Sequence, residues 1–354
     1  MTGTSMDGMD CCVADIQLTK ESADFHIMWM DTITYPPQLK HQFQKALDGN
    51  TARISDLHFE FGQWMADSLA SHMPKNMIPE VIGCHGQTIY HHHNYSTLQI
   101  GEPSYLAETF SVPVISDFRS RDVSVGGCGA PLIPIVDKWL LQEEEEDRIA
   151  LNLGGIANVT VLPKSNGKII GFDTGPGMGL LDERYHDIYD SGIDINGKIA
   201  LLGAADNQLV HQWMQDSFIQ QIPPKSAGRH DYGKNWILSH LHDLGNLNKE
   251  DQLATLSRFT AQSVYQGCIP YLTNAQETVI VAGGGSHHQC VMNELKRCFS
   301  KHKVTISDEF GIPVDGKEAL GFAFLAVAYI KGIPANIPDV TGAKRQVVLG
   351  KLTI

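Results

Sequence analysis

Residues 149–162 read IALNLGGIANVTVL, two apolar runs on either side of a glycine pair. Short apolar runs that end at turn residues are typical of buried strands, so this stretch predicts strands over residues 149–153 and 159–162. A glycine at a strand end has no Cβ, which lets backbone N–H groups approach a phosphate. The segment therefore predicts two buried strands whose connecting turn, at Gly154 and Gly155, could hold an anion.

The chain on both sides of this segment alternates between strand-like and helix-like patterns. Apolar residues at helical spacing predict a helix over residues 54–73, with Ser55 as its N-cap. Two more helices are predicted over residues 253–272 and 319–330, and further buried strands over residues 81–84, 114–116, 169–172 and 279–282. Strands that alternate with helices indicate the α/β class.

Composition excludes several kinds of protein. The 354 residues include 27 Lys and Arg against 40 Asp and Glu, which gives a net charge of −13 at pH 7. Such a surface repels polyanions, so we expect no nucleic acid partner. The seven cysteines form neither a CxxC motif nor a disulfide ladder, which indicates a reducing cytoplasm. No apolar run reaches the roughly 18 residues of a membrane span, so we expect no membrane partner.

Glycine is concentrated in three further clusters, which read GTSMDGMD at residues 3–10, GGCGAP at 126–131 and GGGS at 283–286. None has the GxxxxGK[ST] or GxGxxG spacing, and a single cluster of this kind is more often a tight turn than a phosphate cradle. Taken together, the turns near Gly3 and Gly154 and the strand-GGG segment suggest two related halves that hold one nucleotide. The net charge does not exclude a nucleotide, because backbone N–H groups can bind phosphate locally.

A run of three histidines, His91 to His93, follows shortly after His85. Three consecutive side chains in a strand or turn cannot all face one ion, so a solvated loop is favoured over a metal cluster. The histidine run is therefore not assigned as a metal site.

A series of motifs in chain order resembles those of the anhydro-N-acetylmuramic acid kinases, over essentially the whole chain. They are GTSMDGMD at 3–10, CHGQT at 84–88, QIGE at 99–102, DFRSRD at 117–122, GAPL at 129–132, NLGGIAN at 152–158, GFDTGPG at 171–177, PKS at 224–226, DQLATL at 251–256, GGG at 283–285, EA at 318–319 and VTGA at 340–343. The number and order of these matches make the resemblance specific.

The resemblance implies a two-domain actin-like ATPase fold, in which a ribonuclease H-like unit is duplicated and the nucleotide occupies the interdomain cleft. It also implies ATP-dependent phosphorylation of 1,6-anhydro-N-acetylmuramic acid at O6 with hydrolytic opening of the anhydro ring, giving N-acetylmuramate 6-phosphate and ADP in cell-wall recycling. ATP and Mg²⁺ would be the cofactors. The sugar and a second copy of the chain would be the partners. Two alternatives stay open: another sugar kinase of the same superfamily without ring opening, and a nucleotide-dependent interaction ATPase.

An acidic run at residues 143–147 reads as a solvated loop, and we place a domain boundary there. Residues 1–142 would form an N-terminal domain with the first phosphate turn and the sugar-side segments. Residues 143–354 would form a C-terminal domain with the second phosphate turn and the GGG motif on the adenosine side, its final helices able to pack back on the first domain.

The resemblance also implies the residues of the site. Those expected to contact the nucleotide are Gly3, Thr4, Ser5, Met6, Asp7, Gly8, Met9, Asp10, Asn152, Gly154, Gly155, Gly283, Gly284 and Gly285. Those expected to contact the sugar are His85, Arg119, Arg121 and Glu318. The two arginine forks suit the lactyl carboxylate of a muramic acid, with surface ion pairs to Asp122 or Glu102 as an equal alternative.

Asp182 is the expected catalytic base. The water that attacks the anomeric carbon needs a base within about 3 Å, and the catalytic Asp of the family lies in the equivalent Leu-Leu-Asp. A helix that starts at Gly177 would place Asp182 in its second turn, and a surface Asp on that helix is the alternative. Asp173 could equally hold Mg²⁺ waters or cap that helix, and Asp7 and Asp10 could hold Mg²⁺ or brace the first phosphate turn.

Two departures from the family pattern carry expectations of their own. Family sequences place a strand before the GTSMDGMD turn, and this sequence starts at Met1, so we expect half of that hairpin to be absent. Met178 and Gly179 replace the usual Asn-Ala, which would remove a polar substrate contact or helix-capping contact.

Overall fold

A computed structural model describes residues 1–3, 8–20, 22–47, 49–164, 167–273 and 277–354. Its strands are β1 (Gly8–Leu18), β2 (Ala23–Thr34), β3 (Ile82–Gly83), β4 (Gln87–His92), β5 (Ser96–Ile100), β6 (Val114–Ser116), β7 (Arg148–Leu153), β8 (Ile156–Leu162), β9 (Ile170–Pro176), β10 (Thr278–Ala282), β11 (Lys303–Ile306) and β12 (Lys351–Thr353).

Its helices are α1 (Pro37–Ala46), α2 (Thr51–His72), α3 (Ser104–Phe110), α4 (Ser120–Ser124), α5 (Pro134–Leu141), α6 (Gly179–Tyr189), α7 (Asn207–Trp213), α8 (Ser217–Gln220), α9 (Lys234–Ser239), α10 (Leu241–Leu244), α11 (Lys249–Cys268), α12 (Gln289–Cys298), α13 (Lys317–Ile330) and α14 (Pro338–Thr341). Within the described ranges, none of these helices has the length and apolar character needed to cross a bilayer.

Two compact units make up the chain: unit 1 comprises Met1–Leu140 and Gly316–Ile354, and unit 2 comprises Leu141–Asp315. The division between Leu140 and Leu141 lies two residues before the boundary that the sequence predicted after residue 142. Residues 316–354, which the sequence assigned to the C-terminal domain with its final helices able to pack back on the first domain, group with unit 1. They do so because β12 pairs antiparallel with β6 and α13 packs against β1 and β3.

The sheet of unit 2 has the strand order β11-β10-β7-β8-β9. Strands β7, β8 and β9 form an antiparallel meander, β10 runs parallel to β7, and β11 runs parallel to β10. A meander with two parallel strands added beside its first strand is the ribonuclease H-like arrangement that the resemblance implies. The α/β class is confirmed, and the strands expected at residues 149–153 and 159–162 are β7 and β8.

The core of unit 2 forms where α11 packs against this sheet. Leu151, Val159 and Val281 of the sheet are buried, as are Leu256 and Phe259 of α11. Removal of these apolar side chains from water stabilises the unit by roughly 1.5–3 kcal/mol each. The core thereby fixes the edge at which the parallel strands β7 and β10 end, and the candidate site lies along that edge.

Unit 1 contains three pieces of sheet in its described part: β1-β2, β12-β6-β3 and β4-β5. We expected the strand that precedes β1 to be absent. Met1 and Thr2 pair with the start of β1: Thr2 forms an antiparallel bridge with Met9, and the Asp10 N–H donates to the Met1 carbonyl at 2.8 Å. Residues of β1 and β3 line a cavity of about 500 Å³, and Ala323 of α13 forms part of its wall.

Candidate active site

The glycine turn between β7 and β8 holds the start of helix α6. The Gly177 and Gly179 N–H groups donate to the Gly155 carbonyl at 3.1 and 3.0 Å, and the Met178 N–H donates to the Gly154 carbonyl at 2.7 Å. A Cβ at Gly177 would collide with the Gly154 carbonyl oxygen, and one at Gly179 would lie 2.8 Å from the Gly155 oxygen. Only glycine permits this approach, so the turn and the helix form one rigid piece.

Asp182 lies half-buried in the first turn of α6. The sequence placed it in the second turn of a helix from Gly177, but α6 begins at Gly179, and the Asp182 N–H donates to the carbonyl of the N-cap residue Met178 at 2.9 Å. Met178 is the N-cap residue and its side chain makes no capping bond, as expected where Met-Gly replaces Asn-Ala. The glycine turn instead accepts bonds from the Met178 and Gly179 N–H groups. The expected base is thus fixed, through α6, to the expected second phosphate turn.

The GGG motif lies against the same turn. Gly283 follows β10 with φ of +87°, and a Cβ there would lie 2.7 Å from the Asn152 Oδ1. A Cβ at Gly285 would lie 2.6 Å from the Leu153 Cβ, whereas one at Gly284 would meet no atom within 4 Å. The structure therefore brings together all the residues of unit 2 that the sequence assigned to the nucleotide.

Asp173, on β9, anchors a distant loop. Its Oδ2 accepts hydrogen bonds from the Ser226 Oγ at 2.7 Å and from the Ala227 N–H at 2.9 Å. It does not cap α6, whose N-cap residue is Met178. Of the two roles left open for Asp173, the helix cap is therefore wrong, and a loop-anchoring role that the sequence did not suggest is present.

His85, Arg119 and Glu318 form a cluster in unit 1. The Arg119 Nε and Nη2 lie 3.2 and 3.0 Å from the His85 Nε2, and the Arg119 Nη1 donates to the Gly129 carbonyl at 2.8 Å. Because the His85 Nε2 accepts these bonds, the imidazole is neutral. Burial, followed by the Arg119 charge, holds the His85 pKa well below its usual value.

The charges of this cluster depend on its burial. Burial lowers the Arg119 pKa to about 10, although nearby Glu318 opposes the change, so the guanidinium stays charged at neutral pH. Burial raises the Glu318 pKa, and Asp10 adds to that rise, whereas Lys317 and Arg119 oppose it. The cluster offers one cation, one neutral imidazole and one carboxyl group to an anionic, hydroxyl-bearing ligand.

The alternative partners considered for the two arginines bond elsewhere. Asp122 is buried and accepts hydrogen bonds from the Gly129 N–H, the Asn336 Nδ2 and the Thr341 Oγ1, each at 2.8 Å. Glu102 contacts the His58 Nε2 at 3.1 Å. The Arg121 side chain is exposed on α4, and no contact in the described part joins it to the His85 cluster.

The expected first phosphate turn is only partly described. Thr4, Ser5, Met6 and Asp7 lie outside the described residues. The Gly3 carbonyl accepts a bond from the Gln87 Nε2 at 3.1 Å, and Gly8 and Met9 are buried at the start of β1. The Asp10 Oδ1 accepts a bond from the Thr32 Oγ1 at 2.8 Å, which braces the β1-β2 pair.

The sequence missed one residue near the Arg119 cluster. His91 lies on strand β4, half-buried, and not in the solvated loop that we expected for the histidine run. Burial, followed by the Arg119 charge, lowers its pKa to about 4. Its Nδ1 lies 3.1 Å from the Thr97 Oγ1. Among the described residues, no group of three His, Cys, Asp or Glu side chains is placed to hold a metal.

Comparisons with known proteins identify the family of this chain. The sequence profile described as "Anhydro-N-acetylmuramic acid kinase" matches residues 1–354. A protein of that name from Synechococcus elongatus is 34% identical over 99% of this chain and 97% of its own length. One from Crocosphaera subtropica is 36% identical over 99% of this chain and 97% of its own length.

Solved structures show weaker likeness. The activator of the 2-hydroxyisocaproyl-CoA dehydratase from Clostridium difficile with bound ADPNP has a TM-score of 0.43 and 14% identity, over 92% of this chain and 96% of its own. A ROK family glucokinase from Streptomyces griseus has a TM-score of 0.38 and 10% identity, over 89% of this chain and 99% of its own. The full-length profile match and the curated relatives establish that the chain belongs to the anhydro-N-acetylmuramic acid kinase family of enzymes.

Proposed function

We propose that the protein transfers the γ-phosphoryl group of ATP to O6 of 1,6-anhydro-N-acetylmuramic acid while water opens the anhydro ring. The products are N-acetylmuramate 6-phosphate and ADP, and the reaction returns a cell-wall sugar to metabolism. One observation carries the proposal: the glycine turn at Gly154 and Gly155 bonds directly to the start of the helix that carries Asp182. A phosphate turn and a base fixed to one another suit a reaction that needs both together.

The chemistry balances with one water and one ATP. The O6 oxygen bonds to the γ-phosphorus as the bond to ADP breaks, and the bond between O6 and C1 breaks as the water oxygen bonds to C1. The Asp182 carboxylate takes the proton that the water releases. A positioned general base contributes roughly 10²–10⁴ to a rate, which is the contribution we assign to Asp182.

Unit 1 would recognise the sugar. The charged Arg119 fork suits the lactyl carboxylate, and its bonds to the His85 Nε2 and the Gly129 carbonyl fix the plane of the guanidinium. Neutral His85 can accept those bonds, which an imidazolium could not. Glu318 is the group we expect to contact a sugar hydroxyl. Arg121, exposed on α4, would contact the sugar separately from the His85 cluster.

ATP would be held mainly by backbone groups. The turn at Gly154 and Gly155 would take the phosphates, and the exposed Gly284, with open space around it, would lie under the nucleoside. Mg²⁺ would neutralise charge on the triphosphate, held largely by phosphate oxygens and water, as this ion often is. The described carboxylates form no dedicated cage for it, so we assign it no protein ligand.

Two wider expectations belong to the same proposal. The enzyme would act in the cytoplasm, where ATP and reduced cysteines coexist, and the seven cysteines would stay free there. It would act as a homodimer, which light scattering of the purified protein tests.

The proposed activity is tested by the mass of the product. Purified protein is incubated with Mg-ATP and 1,6-anhydro-N-acetylmuramic acid, and the sugar is examined by mass spectrometry. We expect the mass to rise by one phosphoryl group and one water. A rise by a phosphoryl group alone would indicate a sugar kinase without ring opening. ATP hydrolysis without any modified sugar would indicate a nucleotide-dependent interaction ATPase.

A further inference from the structure

One arginine that the sequence did not single out lies against the second phosphate turn. A Cβ at Gly155 would lie 2.9 Å from the Arg229 Nε, 3.2 Å from its Nη2 and 3.4 Å from its Cζ. Both nitrogens lie closer to this position than Cζ does, so the Nε–Nη2 edge of the guanidinium is turned toward Gly155. Any side chain larger than glycine at position 155 would displace it.

The loop that carries Arg229 is fixed on both sides. Before it, Asp173 binds Ser226 and Ala227 through its Oδ2. After it, the Tyr232 N–H donates to the Gly228 carbonyl at 3.1 Å, and the buried Tyr232 ring places its hydroxyl 3.1 Å from the Asp216 Oδ1. The backbone on either side of Arg229 is therefore held in place, while its side chain is exposed.

Arg229 differs from the other arginines of unit 2 in its electrostatic surroundings. Each of the others has a carboxylate partner: Arg148 with Glu146, Arg184 with Asp187, and Arg258 and Arg297 with Glu294. No described carboxylate lies within ion-pair distance of Arg229, and the neighbouring Asp231 contacts the Gly228 N–H and His230 instead. The structure thus keeps one exposed cation beside a turn expected to bind phosphate.

We propose that Arg229 binds the γ-phosphoryl group of the nucleotide and neutralises the charge on it during transfer. This inference rests on the proposed function and adds a catalytic residue to it. A guanidinium fork matches two phosphoryl oxygens, and such a cation lowers the barrier to phosphoryl transfer without any proton movement.

The test compares Arg229→Ala and Arg229→Lys with Lys234→Ala, which removes an exposed cation five residues further along the chain. We expect Arg229→Ala to lower kcat about 100-fold, the usual loss when one charge-stabilising donor is removed. Arg229→Lys should recover part of that loss, because it keeps the charge but not the fork. Lys234→Ala should stay within about twofold of the wild-type protein.

Nucleotide binding separates this role from a structural one. Isothermal titration should show Arg229→Ala binding the non-hydrolysable ATP analogue AMP-PNP about tenfold more weakly, at an unchanged affinity for ADP, since ADP lacks the γ-phosphate. Equal losses for both nucleotides, or an unchanged kcat, would contradict the inference. An inactive wild-type protein would contradict the proposed function instead, and the AMP-PNP and ADP affinities would still test Arg229.

Discussion

The contact between the glycine turn and helix α6 predicts a severe effect for Gly177→Ala. The added methyl group would collide with the Gly154 carbonyl oxygen and would lie 2.9 Å from the Ile156 carbonyl carbon and 3.0 Å from the Ala157 nitrogen. All three are backbone atoms, so no change of rotamer can relieve the contact. The turn must move away from the helix.

The size of the effect follows from the bonds that such a movement breaks. The N–H groups of Gly177, Met178 and Gly179 would lose their bonds to the turn carbonyls. At about 1 kcal/mol for each hydrogen bond, the loss is about 3 kcal/mol. A domain of 150–250 residues loses about 2–4 °C in Tm per kcal/mol, so we expect Tm to fall by roughly 6–12 °C. Turnover should fall about 100-fold, the effect of a displacement near 1 Å.

Differential scanning calorimetry and steady-state kinetics measure the two effects. Gly284→Ala is the matched control for Tm, because its methyl group would meet no atom within 4 Å. A Gly177→Ala protein with the wild-type Tm and turnover would refute the claim that this contact fixes the helix to the turn.

Three other substitutions, one of them paired with a control variant, test separate parts of the structure. Asp182→Asn should lower turnover by roughly 10²–10⁴, with ADP affinity unchanged by titration, because it removes only the base; wild-type turnover would remove Asp182 from the mechanism. Lys317→Met leaves Asp137 buried without this cation and should cost about 3–5 kcal/mol in urea unfolding. Lys303→Met, in the exposed pair with Glu309, should leave the free energy of unfolding nearly unchanged, and equal costs for the two variants would contradict that reasoning. His91 has a folded pKa of about 4 against about 6.5 unfolded, so acid protonates the unfolded chain first and stability falls as pH falls through that window. Between pH 7 and pH 4.5, the Tm of His91→Asn should therefore fall by less than the Tm of the wild-type protein. An equal fall in the two proteins would argue against a neutral imidazole in the folded state.

Local sequence patterns predicted the elements around the glycine turn well. Strands β7 and β8 follow from two apolar runs and the glycine pair between them, all within a few residues. The start of α2 was wrong: the Asn50 side chain accepts a bond from the Arg53 N–H and begins the helix before Ser55. Both residues are good N-caps by type, and only the observed backbone distinguishes them.

The features that the sequence missed depend on contacts between distant residues. Asp173 bonds to Ser226 and Ala227, more than 50 residues further along the chain, so its own neighbours could not reveal that role. The burial of His91 depends on Gly129 and Arg119, which pack beside it from other elements. The same reason explains why the final residues, paired through β12 with β6, group with unit 1.

Ring opening by water is the central claim of the proposed mechanism, and isotope labelling tests it most directly. The reaction is run in ¹⁸O-water with Mg-ATP and 1,6-anhydro-N-acetylmuramic acid, and the product is quenched before the anomeric oxygen can exchange. The mechanism predicts one ¹⁸O atom at C1 and none in the phosphoryl group. A product without label at C1, or with label in the phosphate, would contradict it.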